Sequence, residues 1–242
     1  MNNVIIITGG SKGIGQALVE KYSTEKYIVF SLSRSTTKML DATYISVDLL
    51  QIEEAKSVFK TLLNHIKKID LSSITLINNA GRLGEISNLE HIPSEDIHQS
   101  ILLNTTIPLI FSSLFIKEFS DLNCKKQIIN ISSGAAKKPY TGWSVYCSSK
   151  AALDMMTATI AEEQKDIKNN VKCFGIRPGV VDTNMQSQIR ETNISNFKNV
   201  QRFIDLKNNN ELYTPKFVAE RIFYLDTNEK LQNGTTIDLR EV

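Results

Sequence analysis

The chain has 242 residues, 41% hydrophobic and 22% charged, with a formal net charge of +2. That length suits one α/β domain with a large core, and no linker or composition shift divides residues 1–242. The near-neutral charge gives no support to a polyanion partner, so neither nucleic acid nor a membrane is expected. The N-terminus offers too short an apolar run for a signal peptide, and no apolar run approaches the ~20 residues of a membrane span, so a cytoplasmic location is the expectation. Cys124, Cys147 and Cys173 are odd in number and lack zinc-site spacing, which suggests reduced thiols. His65, His91 and His98 show no ligand grouping, and no metal is expected.

In chain order, Val4 to Thr8 reads as a strand that enters Gly9-Gly10-Ser11-Lys12-Gly13-Ile14-Gly15, after which Ala17, Leu18, Val19 and Tyr22 have helical spacing. Glycines there let the backbone turn and approach a pyrophosphate, whose charge the amides of a helix N-terminus stabilise. A second strand, Tyr27 to Leu32, ends in Ser33-Arg34-Ser35, where an NAD-binding unit would place an acid for the ribose. Arg34 and Lys12 offer positive charge instead, which suits a 2′-phosphate and points to NADP(H).

Thr43 to Val47 is a third strand leading to Asp48-Leu49, and Ile52 to Ile66 has helical spacing. A fourth strand, Ile74 to Ile77, delivers Asn78-Asn79-Ala80-Gly81. Residues Ile92 to Phe119 read as helix, with a bend expected near Pro108, four residues after Asn104. Gln127 to Ile131 is a fifth strand, ending in Ser132-Ser133-Gly134. Val171 to Ile176 is a sixth, followed by Arg177-Pro178-Gly179-Val180-Val181-Asp182-Thr183. Residues 184–210 are polar and weakly periodic, the pattern of a substrate-binding loop. A helix from Pro215 and a strand from Thr235 to Leu239 close the chain. The alternation predicts a doubly wound α/β fold: a seven-stranded parallel sheet with helices on both faces and ligands at the strands' C-terminal ends.

The chemistry is expected on the helix that begins near Trp143, where Tyr146 and Lys150 stand four residues apart on one face. A tyrosine titrates near ~10 when unperturbed and needs a nearby positive charge to serve as acid or base at neutral pH, which Lys150 could supply.

Together, Thr8-Gly9-x-x-x-Gly13-x-Gly15, Asn78-Asn79-Ala80-Gly81, Asn104, Ser133, Tyr146-x-x-x-Lys150 and Pro178-Gly179 resemble the short-chain dehydrogenase/reductase family over the whole chain. The resemblance implies a Rossmann-type fold. In it Tyr146 protonates a substrate carbonyl as hydride arrives from the nicotinamide, Ser133 holds that oxygen, Lys150 lowers the tyrosine pKa, and Asn104 joins a water-mediated proton relay. It also implies cofactor contacts from Gly9, Ser11, Lys12, Gly13, Ile14, Gly15, Arg34, Asp48, Leu49, Asn79, Ala80, Gly81, Pro178, Gly179, Val181 and Thr183, besides Tyr146 and Lys150.

A narrower resemblance, to bacterial benzil reductases and sepiapterin reductases, rests on Asn79-Ala80-Gly81-Arg82-Leu83-Gly84, the stretch Pro139 to Cys147, the stretch Pro178 to Gln186 and Ile189-Arg190-Glu191-Thr192. It implies NADPH-dependent reduction of a ketone beside a second carbonyl, with Tyr140, Trp143 and Met185 as an apolar wall and Asp238 as a pterin anchor. Another alcohol dehydrogenase or 3-oxoacyl reductase is the alternative, followed by a non-catalytic NADP(H) sensor. The family also implies a homodimer or tetramer, pairing through the helices around Asn104 to Phe119 and Tyr146 to Gln164, with Met155 and Ile160 on the joining face.

Overall fold

The apolar run Val4-Ile5-Ile6-Ile7 is buried along its whole length because its side chains alternate between two cores. Val4 and Ile6 join one cluster, and Ile5 and Ile7 join another on the opposite face of the sheet. The structure is a computed structural model and describes residues 1–35, 41–228 and 231–241.

Strand β1 (Asn2–Thr8) is followed by α1 (Gly13–Thr24), β2 (Ile28–Ser33), β3 (Ala42–Ser46), α2 (Ile52–Ile66) and β4 (Leu71–Asn78). The second half runs α3 (Ser94–Ile101), α4 (Ile107–Phe119), β5 (Lys125–Ile131), α5 (Ser144–Glu163), β6 (Lys172–Arg177), α6 (Asn184–Arg190), α7 (Val200–Asn208), α8 (Pro215–Thr227) and β7 (Thr236–Asp238). The sheet order is β3-β2-β1-β4-β5-β6-β7, and its strand pairs are parallel. Helices α1 and α8 cover one face, and α2, α4 and α5 cover the other. The chain winds outward from β1 through β2 to β3 and then returns to the other side of β1 with β4. That reversal opens a crevice at the C-terminal ends of β1 and β4.

Two expectations are corrected in the chain's middle. The bend expected at Pro108 falls earlier, as a π turn over Leu102–Thr106 in which the Ile107 amide bonds the Leu102 carbonyl five residues back. Pro108, which has no N–H to give the carbonyl of Asn104, sits in the first turn of α4. The continuous helical stretch Ser94–Phe119 also contains an 18-residue window of mean hydropathy 1.5, long and apolar enough to cross a membrane by length and composition. Its apolar residues have a place in the domain core, where Phe111, Phe115 and Phe119 are fully buried and Phe111 stacks on Phe59 of α2 at 4.0 Å.

Residues 184–210 form the helices α6 and α7 rather than an extended loop. Their apolar positions are few because the helices are short and bury only one edge, through Ile189, Val200 and Phe203. With Phe197 from the connection between them, these residues join Trp143 and Tyr146 in a third apolar cluster, separate from the two sheet cores.

Candidate active site

The crevice is first shaped by backbone constraints. Gly9 has φ +71° and Gly13 has φ +57°, values that side-chain-bearing residues rarely adopt. A Cβ on Gly15 would lie 2.2 Å from the Gly9 carbonyl oxygen, so the loop folds tightly against the start of α1. The end of β4 fixes this loop from the side. Asn79 Nδ2 donates to the carbonyls of Thr8 (2.9 Å) and Gly9 (3.2 Å), while Thr8 Oγ1 accepts from the Asn79 and Ala80 amides at 3.0 Å each. The Asn79 amide is therefore spent on holding the glycine turn. No side chain caps the N-terminus of α1, and its first turn carries no acid. Its unpaired amides thus suit an anion.

From there a cleft of ≈ 1140 Å³ runs past Lys12, Arg34 and Asp48 to the Tyr146 region and on to Trp143 and Met185. Arg34 and Lys12 are exposed on its rim. Every residue that the resemblance assigns to the cofactor lines this cleft, as do Ser133, Tyr140, Trp143, Met185 and Asp238.

Asn104 does not. Buried behind the cleft, it donates through Nδ2 to the Arg82 carbonyl (2.8 Å) and to Ser149 Oγ (3.1 Å), and its Oδ1 accepts from the Arg82 amide at 2.8 Å. Its side chain clamps the turn after β4 to α5, close to Gly81, where an added Cβ would lie 3.2 Å from Asn104 Oδ1 and 3.5 Å from Lys150 Nζ.

At the cleft's centre, β5 ends at Ile131 and the backbone turns so that Ser133 caps a 3-10 turn, accepting from the Ala135 amide at 3.2 Å. The Ser133 hydroxyl also acts on Tyr146, on the first turn of α5, where it favours the ionised phenol. Tyr146 is 8% exposed and Lys150 5%. Lys150 Nζ donates to the Ile131 carbonyl at 2.8 Å and stands 5.9 Å from the centre of the Tyr146 ring.

The electrostatics differ from expectation. Burial pushes the Tyr146 phenol above its ordinary value, and the Ser133 hydroxyl offsets only part of that rise. Burial also pushes the Lys150 ammonium down to about 8, against the opposing pull of Asp154. Among the groups that shift the tyrosine, Ser133 rather than Lys150 supplies the lowering, and desolvation dominates at both Tyr146 and Lys150 in this dry corner.

Asp154 was not singled out in the sequence, although the spacing Tyr146-x-x-x-Lys150-x-x-x-Asp154 extends the same helix face by one turn. It accepts from Ser132 Oγ and pairs with Arg177, whose side chain is buried at the end of β6. One carboxylate thereby joins the turn that carries Ser133 to the strand that carries Pro178 and Gly179.

The aromatic wall is built around Trp143, which stacks on Phe197 at 4.6 Å and meets Tyr146 edge-on at 5.7 Å. Tyr140 lies 4.9 Å from Trp143, and Met185 packs against the same cluster. Phe197 and Phe203, apolar residues scattered through a polar segment of the sequence, complete the wall. Asp238 is buried at the end of β7 and holds Arg240 with both carboxylate oxygens, including a 2.8 Å bond from Arg240 Nε. That pairing, with Arg177 nearby, keeps its carboxyl below the usual range and leaves the pterin-anchor role with an already engaged carboxylate.

A sequence profile described as short chain dehydrogenase matches residues 3–194. The chain belongs to that family. It is therefore an oxidoreductase by family, and the parallel Rossmann-type sheet is the fold of its structural neighbours. The chain is 40% identical over 238 residues to a Bacillus subtilis protein named benzil reductase ((S)-benzoin forming), covering 98% of each chain. It is 30% identical to a Bos taurus sepiapterin reductase, covering 96% of this chain and 92% of the relative. A solved short chain dehydrogenase/reductase from Saccharomyces cerevisiae superposes with a TM-score of 0.83 at 26% identity, covering 98% of this chain and 96% of the other.

Proposed function

We propose that this protein is an NADPH-dependent carbonyl reductase that acts on one carbonyl of a vicinal dicarbonyl, in the manner that the name benzil reductase describes for its Bacillus relative. The observation that carries the reading is the convergence of Ser133, Tyr146 and Lys150 in one cleft, with Tyr146 and Lys150 buried at the foot of an aromatic wall.

Gly9, Gly13 and Gly15 with the open N-terminus of α1 would hold the pyrophosphate, and Lys12 and Arg34 a 2′-phosphate. When bound, the reduced nicotinamide supplies hydride. The chain's own residues then manage the oxygen. Ser133 and Tyr146 offer two hydroxyl donors to a carbonyl oxygen that becomes more negative in the transition state, so they stabilise that state more than the ground state. A phenol raised by burial keeps its proton until an alkoxide, a stronger base, is there to take it. Asn104 acts through the Arg82 turn and α5 and is a positioning residue, with its relay role resting on the family resemblance alone.

With both Asp238 oxygens on Arg240, an aryl diketone is preferred here to a pterin. A single domain acting in the cytoplasm as a homodimer, or a tetramer, belongs to the same proposal. Of the two residues expected on its joining face, Met155 is exposed, whereas Ile160, five residues on, is buried in the core.

The test is NADPH consumption with benzil and with sepiapterin, by the wild type and Tyr146→Phe, with NADH as control. Turnover of benzil that vanishes in the variant supports the reading. A folded, NADPH-binding wild type that reduces neither compound, or that prefers NADH, overturns it in activity or cofactor respectively.

A further inference from the structure

Beyond the aromatic wall, the outer rim of the cleft is strongly cationic. Lys137, Lys138, Arg202 and Arg240 line it with two carboxylates, Asp238 and Glu241, so four positive charges face two negative ones. Among the described residues, no carboxylate pairs with Lys137, Lys138 or Arg202, whereas Lys207 and Arg190 a short way along α6 and α7 are both tied to Asp182.

The cations gather round one phenol. Arg202 Nη1 donates to the Tyr140 hydroxyl oxygen at 3.0 Å, and Lys138 Nζ lies 5.7 Å from the centre of the Tyr140 ring. Arg240 bridges the turns on either side, since a Cβ on Gly134 would lie 3.6 Å from its Nη2 and one on Gly179 would lie 3.5 Å from its Cγ. Because Tyr140 accepts from Arg202, its own O–H remains to donate. A hydroxyl donor flanked by a guanidinium fork and an ammonium is the chemistry that recognises a carboxylate. Tyr140 connects this rim to the wall, its ring 4.9 Å from Trp143, which in turn meets Tyr146 edge-on.

From this arrangement we propose that the protein's own substrate is an anionic aryl ketone: a diaryl vicinal dicarbonyl compound that bears a carboxylate on the ring remote from the reacting carbonyl. The inference rests on the carbonyl-reductase reading and narrows its substrate class. Hydride and a proton still convert C=O to CH–OH with oxidation of NADPH, and the carboxylate is chemically unchanged. It sets which end of the molecule faces Tyr146 and which faces solvent. The neutral substrate benzil fills the wall but leaves the rim without a counter-ion.

The experiment compares 4-carboxybenzil with benzil at saturating NADPH, reading the ratio of their kcat/KM values at low and high salt. For partly exposed charge pairs the wild type is expected to favour the carboxylated compound by about fivefold or more, with the preference shrinking as salt rises. Lys138→Gln and Arg202→Gln each pull the ratio toward one, and Arg202→Glu takes it below one. A wild-type ratio near one, or a ratio that none of the three variants moves, overturns the inference while leaving the reductase reading intact. No turnover of either compound by an NADPH-binding wild type overturns both. The single tryptophan, Trp143, stands at the site, so quenching of its fluorescence reports binding of each compound independently of turnover.

Discussion

Lys150 gives the sharpest quantitative consequence of the buried site. Its ammonium is pushed from 10.5 down to about 8, because burial disfavours the charged form more than Asp154 favours it. At about 1.4 kcal/mol for each pH unit, that difference amounts to roughly 3 kcal/mol. The sign follows from proton binding. Below pH 8 the amine is protonated in both folded and unfolded chains, and the folded protein carries the full penalty. Between pH 8 and 10.5 the folded chain has released the proton and the unfolded chain has not, so stability rises with pH. Of the total, about 2 kcal/mol is relieved between pH 7 and 9.5. Cys173, pushed up to about 12 by burial, acts in the opposite direction above pH 9, which hides the effect in the wild type alone. Comparing wild type with Lys150→Met removes that background, since Cys173 and Tyr146 are common to both. Urea unfolding of the two proteins at pH 7 and 9.5 should show the wild type gaining about 2 kcal/mol relative to the variant. Loss of the Lys150–Ile131 hydrogen bond shifts both pH values equally and does not enter the difference. A stability difference constant to within about 0.5 kcal/mol would refute the argument that desolvation governs this corner.

Three further outcomes follow from individual contacts. Asp154→Asn strands the buried Arg177 guanidinium and should destabilise by about 3–5 kcal/mol, lowering the thermal midpoint by roughly 6–20 °C, whereas Asp154→Leu with Arg177→Met should recover most of that loss. Gly15→Ala sets a methyl group 2.2 Å from the Gly9 carbonyl, and titration with NADPH should show binding weakened at least about tenfold, or about 1.4 kcal/mol. Arg34→Ala should raise the KM for NADPH by about tenfold while leaving that for NADH within about twofold, because the exposed guanidinium is proposed to meet only the 2′-phosphate.

The sheet was legible because a parallel strand covered on both faces leaves a nearly continuous apolar run, and Val4 to Ile7, Ile74 to Ile77 and Val171 to Ile176 all show one. The glycine loop and the Tyr146/Lys150 pair were legible because their chemistry depends on local spacing. The roles of Asn79 and Asn104 were less so. Each amide is occupied by backbone groups tens of residues away, Asn79 with Thr8 and Gly9 and Asn104 with Arg82. Such pairings are set by topology rather than by neighbours in sequence. For the same reason α6 and α7 looked like loop: their order comes from a tertiary aromatic cluster centred on Trp143, whose members come from separate parts of the chain. Asp238 falls on the last strand as expected, at its end rather than inside it, and its partner lies only two residues away in Arg240, beyond the strand.

The opposite shifts of Tyr146 and Lys150 bear on the direction of catalysis. Burial alone makes the phenol a weaker acid and the ammonium a stronger one, which sets the ammonium's pKa below the phenol's instead of just above it. A reductase needs its phenol protonated while it waits, and a raised pKa secures that across neutral pH. The same shift works against alcohol oxidation, which needs the phenolate as base. Ser133 is the group placed to moderate it, because its hydroxyl favours the ionised oxygen of Tyr146. Asp154, one turn below Lys150, holds the ammonium's charge up against burial and binds the Ser132 and Arg177 turns around it. Asp154 thus acts on the site from its dry side, outside the cleft, whereas Ser133 stands in the cleft itself.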